Sequence, residues 1–298
     1  ICIHQAGVQN IMRIAVLIQC HKNLQQVNLL LNKLAHPQID CYVHVDKKVD
    51  FADKILRRKN VFVLPEEKRV SVEWAKISQV DATINLLSSA ISGGVEYDYY
   101  WLISGQDWPI CSADEIIRFF QSNDRKNYIQ YWNSKNYGDH KQNNLDKRNQ
   151  IYFPQKIIGH GFIQKVIKRS WVEFTGGYNR TWCLFERKQL PVKFYFGSSW
   201  WALERNTVDW IMKYLAEHKE YYIFYCNTVC PDESFFQTLV MLSPFADDKT
   251  DYLTYLYFPA GANSPVVLRK SDWEKAKNSG YLIMRKVDLR VDDFFVKL

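Results

Sequence analysis

Short apolar segments alternate with segments of helical periodicity along the first half of the chain. Four apolar runs have the length and composition of buried strands, at 13–20, 41–45, 61–64 and 99–103, and a fifth strand is predicted at 128–131. Apolar residues at helical spacing, or a capping residue such as Ser112, predict helices at 25–34, 53–58, 78–90 and 113–121. This alternation predicts an α/β fold whose central sheet is mostly parallel and flanked by helices.

The second half of the chain has a less regular pattern. It opens with a strongly polar segment, 133–149, which predicts a long surface loop. Beyond this loop the pattern predicts helices at 164–170, at 205–218 and from Asp232 onward, a strand at 193–196, and short apolar stretches at 252–258 and 281–284. Ligands of a mostly parallel sheet bind beyond the carboxyl ends of its strands, so the polar residues that follow each strand are the candidates for chemistry.

The composition favours anionic partners. The chain has 298 residues and a formal net charge of +7, with basic residues spread along it rather than gathered in one run. A charge of this sign favours a nucleotide diphosphate, a nucleic acid or an acidic membrane, and its even spread argues against nucleic acid. Aromatic residues make up 15% of the chain. Their rings could stack on sugars, although most of them are expected to fill the core.

Cysteine spacing and hydropathy argue against several other classes. The seven cysteines are scattered, and none has the CxxC or histidine spacing of a zinc site, so free thiols in a reducing compartment are expected. No stretch approaches the ~20 apolar residues of a membrane span. Residues 1–11 lack a signal-peptide pattern and are expected to be an N-terminal extension outside the fold.

Two predicted strand ends carry polar motifs. His44 and Asp46 end the second strand, in HVDKK. Asp46 would accept from a nucleobase N–H while the lysines face phosphate; alternatively, Asp46 caps a turn and the lysines are solvated. Gly105 and Asp107 follow the fourth strand, in LISGQDWPI, where glycine lets the backbone approach a ligand; alternatively, this is an ordinary turn. The segment has no Asp-x-Asp pair for a divalent metal.

Two further motifs lie in the second half of the chain. FGSSWWAL places Trp200 and Trp201 after a Gly-Ser turn, either as core residues or as a surface that binds sugar. PDESFFQT begins a helix, with Asp232 as the expected N-cap. Glu233 follows, and the helix N-terminus favours its ionised form. It is a candidate general base; alternatively, both acids only complement the helix dipole.

One base beside cations fits a transferase better than a glycosidase. A glycosidase needs a second carboxyl group to protonate its leaving group. A nucleoside diphosphate leaves as a stable anion, so a transferase that uses it needs one base for the acceptor hydroxyl and cations for the diphosphate. Arg285 and Lys286 could supply those cations, with a solvated basic pair as the alternative.

Taken together, these motifs resemble the core 2/I-branching β-1,6-N-acetylglucosaminyltransferase and peptide-O-xylosyltransferase family. The matches are HVDKK, the Trp74 region, LISGQDWPI, FGSSWWAL, PDESFFQT and LIMRKVD, in family order over roughly residues 12–290. The resemblance implies a glycosyltransferase A-type fold with a Rossmann-like sheet, inversion at the anomeric carbon and no metal cofactor. We expect one catalytic domain over 12–298, with a nucleotide-binding half at 12–132 and an acceptor-binding and catalytic half at 133–298.

The resemblance also implies roles for single residues. Asp46 matches the aspartate that contacts uracil, and Glu233 matches the catalytic base. Arg285 and Lys286 match the basic residues that neutralise the diphosphate. The other expected donor-site residues are His44, Gly105 and Asp107. The expected acceptor-site residues are aromatic: Trp200, Trp201, Tyr255 and Tyr257. Ser199 departs from the pattern, because xylosyltransferases have an aspartate at this position, and this argues against xylose and a peptide acceptor.

The sequence therefore predicts an inverting, metal-independent glycosyltransferase that moves a sugar, with N-acetylglucosamine favoured, from a UDP-sugar to a carbohydrate hydroxyl. The expected acceptor is a glycan or lipid-linked saccharide in surface-polysaccharide synthesis; no cofactor, nucleic acid or transmembrane segment is expected. The short chain without an anchor predicts a bacterial protein, cytoplasmic or peripheral at the inner membrane. The alternatives are a catalytically inactive sugar- or nucleotide-binding protein of the same fold and a metal-dependent transferase.

Overall fold

The computed structural model describes residues 11–123, 126–131, 148–159, 161–175, 188–259 and 264–298. Seven strands of these residues form one sheet: β1 (Ile14–Cys20), β2 (Ile39–Val45), β3 (Val61–Val63), β4 (Tyr99–Ser104), β6 (Asn127–Ile129), β7 (Trp201–Glu204) and β8 (Lys249–Thr250). Their order across the sheet is β3-β2-β1-β4-β7-β6-β8. A second sheet joins β5 (Trp108–Pro109), β10 (Ile283–Arg285) and β9 (Thr254–Leu256), in that order.

The helices are α1 (Leu24–Lys33), α2 (Ser78–Ser92), α3 (Ala113–Ser122), α4 (Phe162–Phe174), α5 (Arg205–Glu217), α6 (Lys219–Cys226), α7 (Phe235–Leu242) and α8 (Trp273–Lys277). All of them except α4 and α8 pack on the faces of the large sheet. The predicted cap of α3 is confirmed: the Ser112 hydroxyl accepts from the Glu115 N–H, and the Glu115 carboxylate accepts from the Ser112 N–H. Within the described part of the chain, no helix has the length and hydropathy needed to cross a membrane.

The central strands are parallel and end at a common edge. β1 pairs in parallel with β2 and β4, and β2 with β3, whereas β7 runs antiparallel to β4 and β6. Cys20 lies opposite Val45, and Gln19 lies opposite Ser104, so β1, β2 and β4 end side by side. The predicted α/β fold with a mostly parallel sheet is confirmed, and the polar residues after these strands meet at one edge.

The core explains why β1 is continuously apolar. All seven of its residues are buried, because helices cover both sides of the sheet. Ile14, Val16 and Ile18 face one side, where they pack with α1 and α3. Ala15 and Leu17 face the other side, where they pack with α2, α5 and α7. Two packed layers of helices therefore fix the sheet and the edge at which its strands end.

Two predicted elements are wrong. The helix at 53–58 is only a 3₁₀ turn, Ala52–Lys54, because Ile55 is extended and buries its side chain in the core. The strand at 193–196 does not join the sheet as a ladder, because the Tyr195 N–H donates to the Thr238 hydroxyl at 3.1 Å. The strand forms a few residues later instead, as β7, which pairs with β4.

The helix predicted from Asp232 is also corrected. Residues Pro231–Glu233 form a 3₁₀ turn, and α7 begins only at Phe235. Asp232 is therefore not an N-cap. Its carboxylate accepts instead from the Ser199 hydroxyl at 2.5 Å, which ties this turn to the Gly-Ser loop before β7.

Candidate active site

A cavity of about 550 Å³ opens where β1, β2 and β4 end. Five of the predicted donor-site residues line it: His44, Asp46, Gly105, Arg285 and Lys286. Trp200, one of the predicted acceptor-site aromatics, lines it as well. The fold thus brings together residues that are as far apart in sequence as β2 and β10.

Asp46 is fixed in the cavity wall by its own loop. It is buried, and its Oδ1 accepts from the backbone N–H of Lys48 at 2.9 Å. The Lys48 ammonium lies 3.5 Å from Oδ2. Asp46 therefore does cap a turn, but this uses only some of the positions at which its carboxylate can accept a hydrogen bond. The remaining positions can accept an N–H group from a ligand.

His44 supplies a hydrogen-bond donor to the same wall. Its Nε2 accepts from the backbone N–H of Val70 at 2.9 Å. Burial lowers the pKa of His44 to about 4, so the ring is neutral near pH 7 and its single proton lies on Nδ1. This buried Nδ1–H finds no partner among the described residues. A buried donor without a partner in a cavity wall is a position where a ligand can accept.

Arg285 is held rigidly at the end of β10. Its Nη1 donates to the Ser104 hydroxyl at 2.6 Å and to the Asp107 carboxylate at 3.1 Å. Its guanidinium carbon lies 4.1 Å from the ring centroid of Trp200, a cation–π contact. Burial raises the pKa of Asp107, and the Arg285 charge opposes that shift. Asp107 is fully buried and does not line the cavity. It positions Arg285, which does line it.

Gly105 is required by packing at this edge. A Cβ atom there would lie 2.8 Å from Cys20 Cβ and 3.0 Å from Val27 Cγ2. The loop can therefore approach β1 and α1 closely only with glycine. The buried Gln26 amide fixes the same loop, since its Nε2 donates to the carbonyl oxygens of Gly105 and Val287, each at 2.9 Å. Gln26 thus ties the end of β4 to the segment that follows β10.

The cavity concentrates positive charge. Lys22 and Lys286 line it together with Arg285. The Lys22 ammonium lies 3.2 Å from the Asp288 carboxylate. Partial burial lowers the pKa of Lys286, and the nearby Arg285 and Lys22 lower it further. Clustered cations of this kind favour an anionic ligand, which would relieve their mutual repulsion.

Glu233 is oriented by a mostly buried arginine. Its Oε2 accepts from Arg148 Nη1 at 3.1 Å. The Glu233 side chain is 44% exposed, whereas that of Arg148 is 16% exposed. The Nε and Nη2 groups of Arg148 find no partner among the described residues. Glu233 therefore has one oxygen anchored and a partly exposed side chain, although it is not among the residues that line the cavity.

The turn that carries Glu233 is attached to the rim of the cavity from two sides. The Ser199 hydroxyl donates to Asp232, and the residue after Ser199 is the cavity-lining tryptophan. The backbone N–H of Cys230 donates to the Ala75 carbonyl at 2.9 Å. Ala75 follows Trp74, which also lines the cavity. The candidate base is thus joined by hydrogen bonds to both tryptophan-bearing loops.

Asp232 gives this turn a pH dependence that can be measured. Burial and the neighbouring Glu233 raise the pKa of Asp232 to about 6. A carboxyl group with a raised folded-state pKa stabilises the fold below its unfolded pKa, and this contribution is lost as the pH rises through about 6.

Asp232→Asn mimics the neutral form of this carboxyl group, and its amide oxygen can still accept from the Ser199 hydroxyl. We expect it to flatten the fall in melting temperature between about pH 4 and pH 6. Thermal unfolding followed by circular dichroism measures this, with exposed Asp53→Asn as control; an unchanged pH slope in Asp232→Asn would contradict the expectation.

Three predicted acceptor-site aromatics lie away from the cavity. Trp201 is buried in the core, with its ring 5.2 Å from that of Phe236. Tyr255 lies on β9, against the cluster of apolar residues around Trp108. Tyr257 follows β9 and is exposed. Of the four aromatics predicted for the acceptor, Trp200 is the one in the cavity wall.

Three residues at or near the site were missed by the sequence interpretation. Arg148 lies near the end of the polar segment, 133–149, that was predicted as a surface loop; positions 133–147 of that loop lie outside the described residues. Its neighbour Asn149 is fully buried and donates to the Ser234 hydroxyl at 3.0 Å. Nothing in the polar composition distinguishes these two residues. Gln26 was also missed, although a glutamine at helical spacing before Leu30, on the buried face of α1, was a usable signal.

Acidic side chains near the cavity are already engaged with cations of the chain. Asp107 pairs with Arg285, and Asp46 lies beside Lys48. In the part of the chain that the structure describes, no three histidine, cysteine, aspartate or glutamate side chains are grouped so as to hold a metal ion.

Comparison with known proteins adds the family. The model of the Core-2/I-Branching enzyme family matches residues 14–278. Xylosyltransferase 2 of Bos taurus is 24% identical over 252 residues, which cover 80% of this chain and 26% of that protein. Xylosyltransferase oxt of Drosophila pseudoobscura pseudoobscura is 26% identical over 238 residues, 76% of this chain and 24% of that protein. The chain thus spans about a quarter of the length of these two relatives.

A third relative has a different named activity. Beta-1,3-galactosyl-O-glycosyl-glycoprotein beta-1,6-N-acetylglucosaminyltransferase 4 of Danio rerio is 24% identical over 230 residues, 76% of this chain and 49% of that protein. The fold of the described residues, a large and mostly parallel sheet flanked by helices, is consistent with a glycosyltransferase A-type fold. The family match covers most of the chain, and the chain belongs to the Core-2/I-branching enzyme family. The resemblance drawn from the motifs is confirmed.

Proposed function

We propose that this protein transfers a sugar from a UDP donor to a carbohydrate hydroxyl, with inversion at the anomeric carbon and without a metal ion. The proposal rests mainly on one observation: the acceptor and donor groups that suit a nucleobase lie on one side of the cavity, and the cations that suit a diphosphate lie on the other. Asp46 and His44 lie at the end of β2, whereas Arg285 is bonded to the end of β4. These strands are two apart in the sheet, about 10 Å, a separation that a nucleotide can span.

The β2 side suits a nucleobase, and the β10 side suits a diphosphate. Asp46 can accept from the uracil N–H, and the Nδ1–H of His44, buried in the same wall, can donate to a uracil carbonyl. Arg285 and Lys286 can bind the diphosphate, with charge-assisted hydrogen bonds that contribute roughly 1.5–3 kcal/mol each. Arg285 is already fixed by Asp107 and the Trp200 ring, so little side-chain entropy is lost when the donor binds.

Glu233 is the proposed general base. It removes the proton of the acceptor hydroxyl while that oxygen attacks the anomeric carbon from the face opposite the UDP group. The bond from the anomeric carbon to the phosphate oxygen breaks, and its electron pair leaves with UDP. An α-linked donor thus gives a β-linked product. UDP leaves as a stable anion, so one carboxylate is sufficient, and Trp200 supplies an aromatic face for a sugar.

Metal independence is supported by the place of Arg285. This cation and Lys286 occupy the cavity edge where a divalent ion would otherwise neutralise the diphosphate. N-acetylglucosamine is the favoured donor sugar, because Ser199 replaces the aspartate of the xylosyltransferase pattern and the named activity of the Danio rerio relative is N-acetylglucosaminyl transfer. A glycan or lipid-linked saccharide in surface-polysaccharide synthesis is the proposed acceptor.

A panel of UDP-sugars tests this proposal. UDP release is measured for each donor, with and without EDTA, in the presence of mono- and oligosaccharide acceptors and as donor hydrolysis without them. We expect release with one donor, strongest with UDP-N-acetylglucosamine, and no effect of EDTA. Loss of release in EDTA, restored by added Mn²⁺, would instead indicate a metal-dependent transferase. UDP binding without release from any donor would indicate the inactive binding protein.

A further inference from the structure

Helix α4 carries a continuous apolar stripe on its exposed side. The residues of this stripe are Phe162, Ile163, Val166 and Ile167, and their exposed fractions run from 43% to 81%. Phe162 and Val166 are four residues apart, as are Ile163 and Ile167, so these pairs lie on one face of the helix. Exposed apolar side chains that are contiguous in this way mark an interaction surface more often than scattered ones do.

The opposite side of α4 holds the helix to the protein. Val172 is buried in a small apolar cluster with Ile151, Phe153 and Ile158. The indole N–H of Trp171 donates to the Tyr152 carbonyl at 2.8 Å. At 100° per residue, Val172 points about 160° away from the midpoint between Ile163 and Ile167, whereas Trp171 lies about 60° from it, at the edge of the stripe. The stripe is therefore directed away from the fold and not into it.

Basic residues border the stripe. Lys165 and Arg169 are exposed and four residues apart, on the edge next to Phe162. Lys168 lies closer to the protein, with its ammonium 5.6 Å from the ring centroid of Trp74. The helix holds three basic residues and one acidic residue, Glu173. Its exposed side thus combines apolar side chains with a positive edge.

We propose that α4 binds an anionic membrane surface, lying in the plane of the interface with its apolar stripe among the acyl chains. Phenylalanine and β-branched side chains on one face, with lysine and arginine beside them, are the arrangement that such a surface binds. The cations would contact the negative headgroups, a contribution that a neutral surface does not offer. A second copy of the chain is a poorer occupant, because two such helices facing each other would bring like charges together.

The position of α4 links this surface to the candidate active site. Lys168 packs on Trp74, and Trp74 lines the cavity. The stripe faces away from Trp74, so a membrane bound to it would lie about one helix diameter, ~10 Å, beyond that residue, and a lipid-linked acceptor would have to reach the cavity from there. This link rests on the proposed function, whereas membrane binding itself does not.

Co-flotation with vesicles tests the proposal. The purified chain is mixed with vesicles of phosphatidylcholine alone, or of phosphatidylcholine with phosphatidylglycerol, at low and high salt. We expect binding to the anionic vesicles that weakens at high salt. Phe162→Ser is expected to weaken the partition coefficient by about tenfold, and Lys165→Glu or Arg169→Glu by at least about fivefold each. Ile223→Ser and Lys213→Glu, exposed positions on α6 and α5, serve as matched controls and are expected to bind as the natural chain does.

Several outcomes would overturn this assignment. These are no binding to anionic vesicles, equal binding to neutral ones, or equal losses in the α4 variants and the controls. A dimer in sedimentation that dissociates in Phe162→Ser would assign the stripe to a second copy instead. UDP release by Phe162→Ser, measured without vesicles, separates the proposed transferase activity from the proposed membrane binding. If the variant releases UDP as the natural chain does but no longer floats with the vesicles, membrane binding by α4 is supported, whichever donor sugar is used. Loss of both together would indicate a folding defect and remove the support.

Discussion

Glu233→Gln is expected to lower kcat by about 10²–10⁴-fold, because the variant cannot take the proton of the acceptor hydroxyl. The amide oxygen can still accept from Arg148 Nη1, so the turn is expected to keep its geometry. UDP affinity is therefore expected to stay close to that of the natural chain. Steady-state UDP release gives kcat, and titration calorimetry with UDP gives the affinity.

A matched control separates the base from a general charge effect. Glu217 lies exposed on α5, 3.9 Å from Lys213 and outside the cavity lining, and Glu217→Gln removes the same charge there. We expect Glu217→Gln to keep full turnover. Turnover in Glu233→Gln equal to that of Glu217→Gln would remove Glu233 from the mechanism.

Arg285→Met is expected to damage both stability and donor binding. It leaves the fully buried Asp107 without its cation, and breaking a buried pair from one side costs about 3–5 kcal/mol of unfolding free energy. It also removes a charge-assisted contact to the diphosphate, so UDP affinity is expected to fall by about 10–100-fold. Urea unfolding measures the first effect, and titration calorimetry with UDP measures the second.

The double variant Arg285→Met/Asp107→Asn separates these two effects. A neutral amide at position 107 needs no cation, and its oxygen can still accept from the backbone N–H of Ser104. Most of the lost stability is therefore expected to return, while UDP binding stays weak. Recovery of UDP affinity along with stability would show that Arg285 is structural and does not bind the diphosphate.

The central sheet could be predicted from the sequence because its signals are local. Buried parallel strands are short apolar runs. The first polar residues after each run mark the point where the chain leaves the sheet. His44 and Asp46 stand at such an end, so a strand prediction was enough to place both at the site edge. Arg285 was also found in this way, since it closes a short apolar stretch that forms β10.

Other features depend on contacts between distant parts of the chain. Arg148 meets Glu233 across 85 residues, and nothing in the polar segment that contains Arg148 indicates that pairing. Trp200 and Trp201 are adjacent and have the same side chain, yet Trp201 begins β7 and is buried in the core, whereas Trp200, the residue before the strand, lines the cavity. Asp232 looked like a helix cap because its residue type and position allowed it, but Ser199 offers its carboxylate a donor from another loop.

The measurement that tests the central claim most directly is UDP release by the EDTA-treated chain, run beside Glu233→Gln with the same donor and acceptor. The account predicts release that EDTA leaves unchanged in the natural chain, and release reduced by about 10²–10⁴-fold in the variant. Release that requires an added divalent metal, or that continues unchanged in Glu233→Gln, would contradict it.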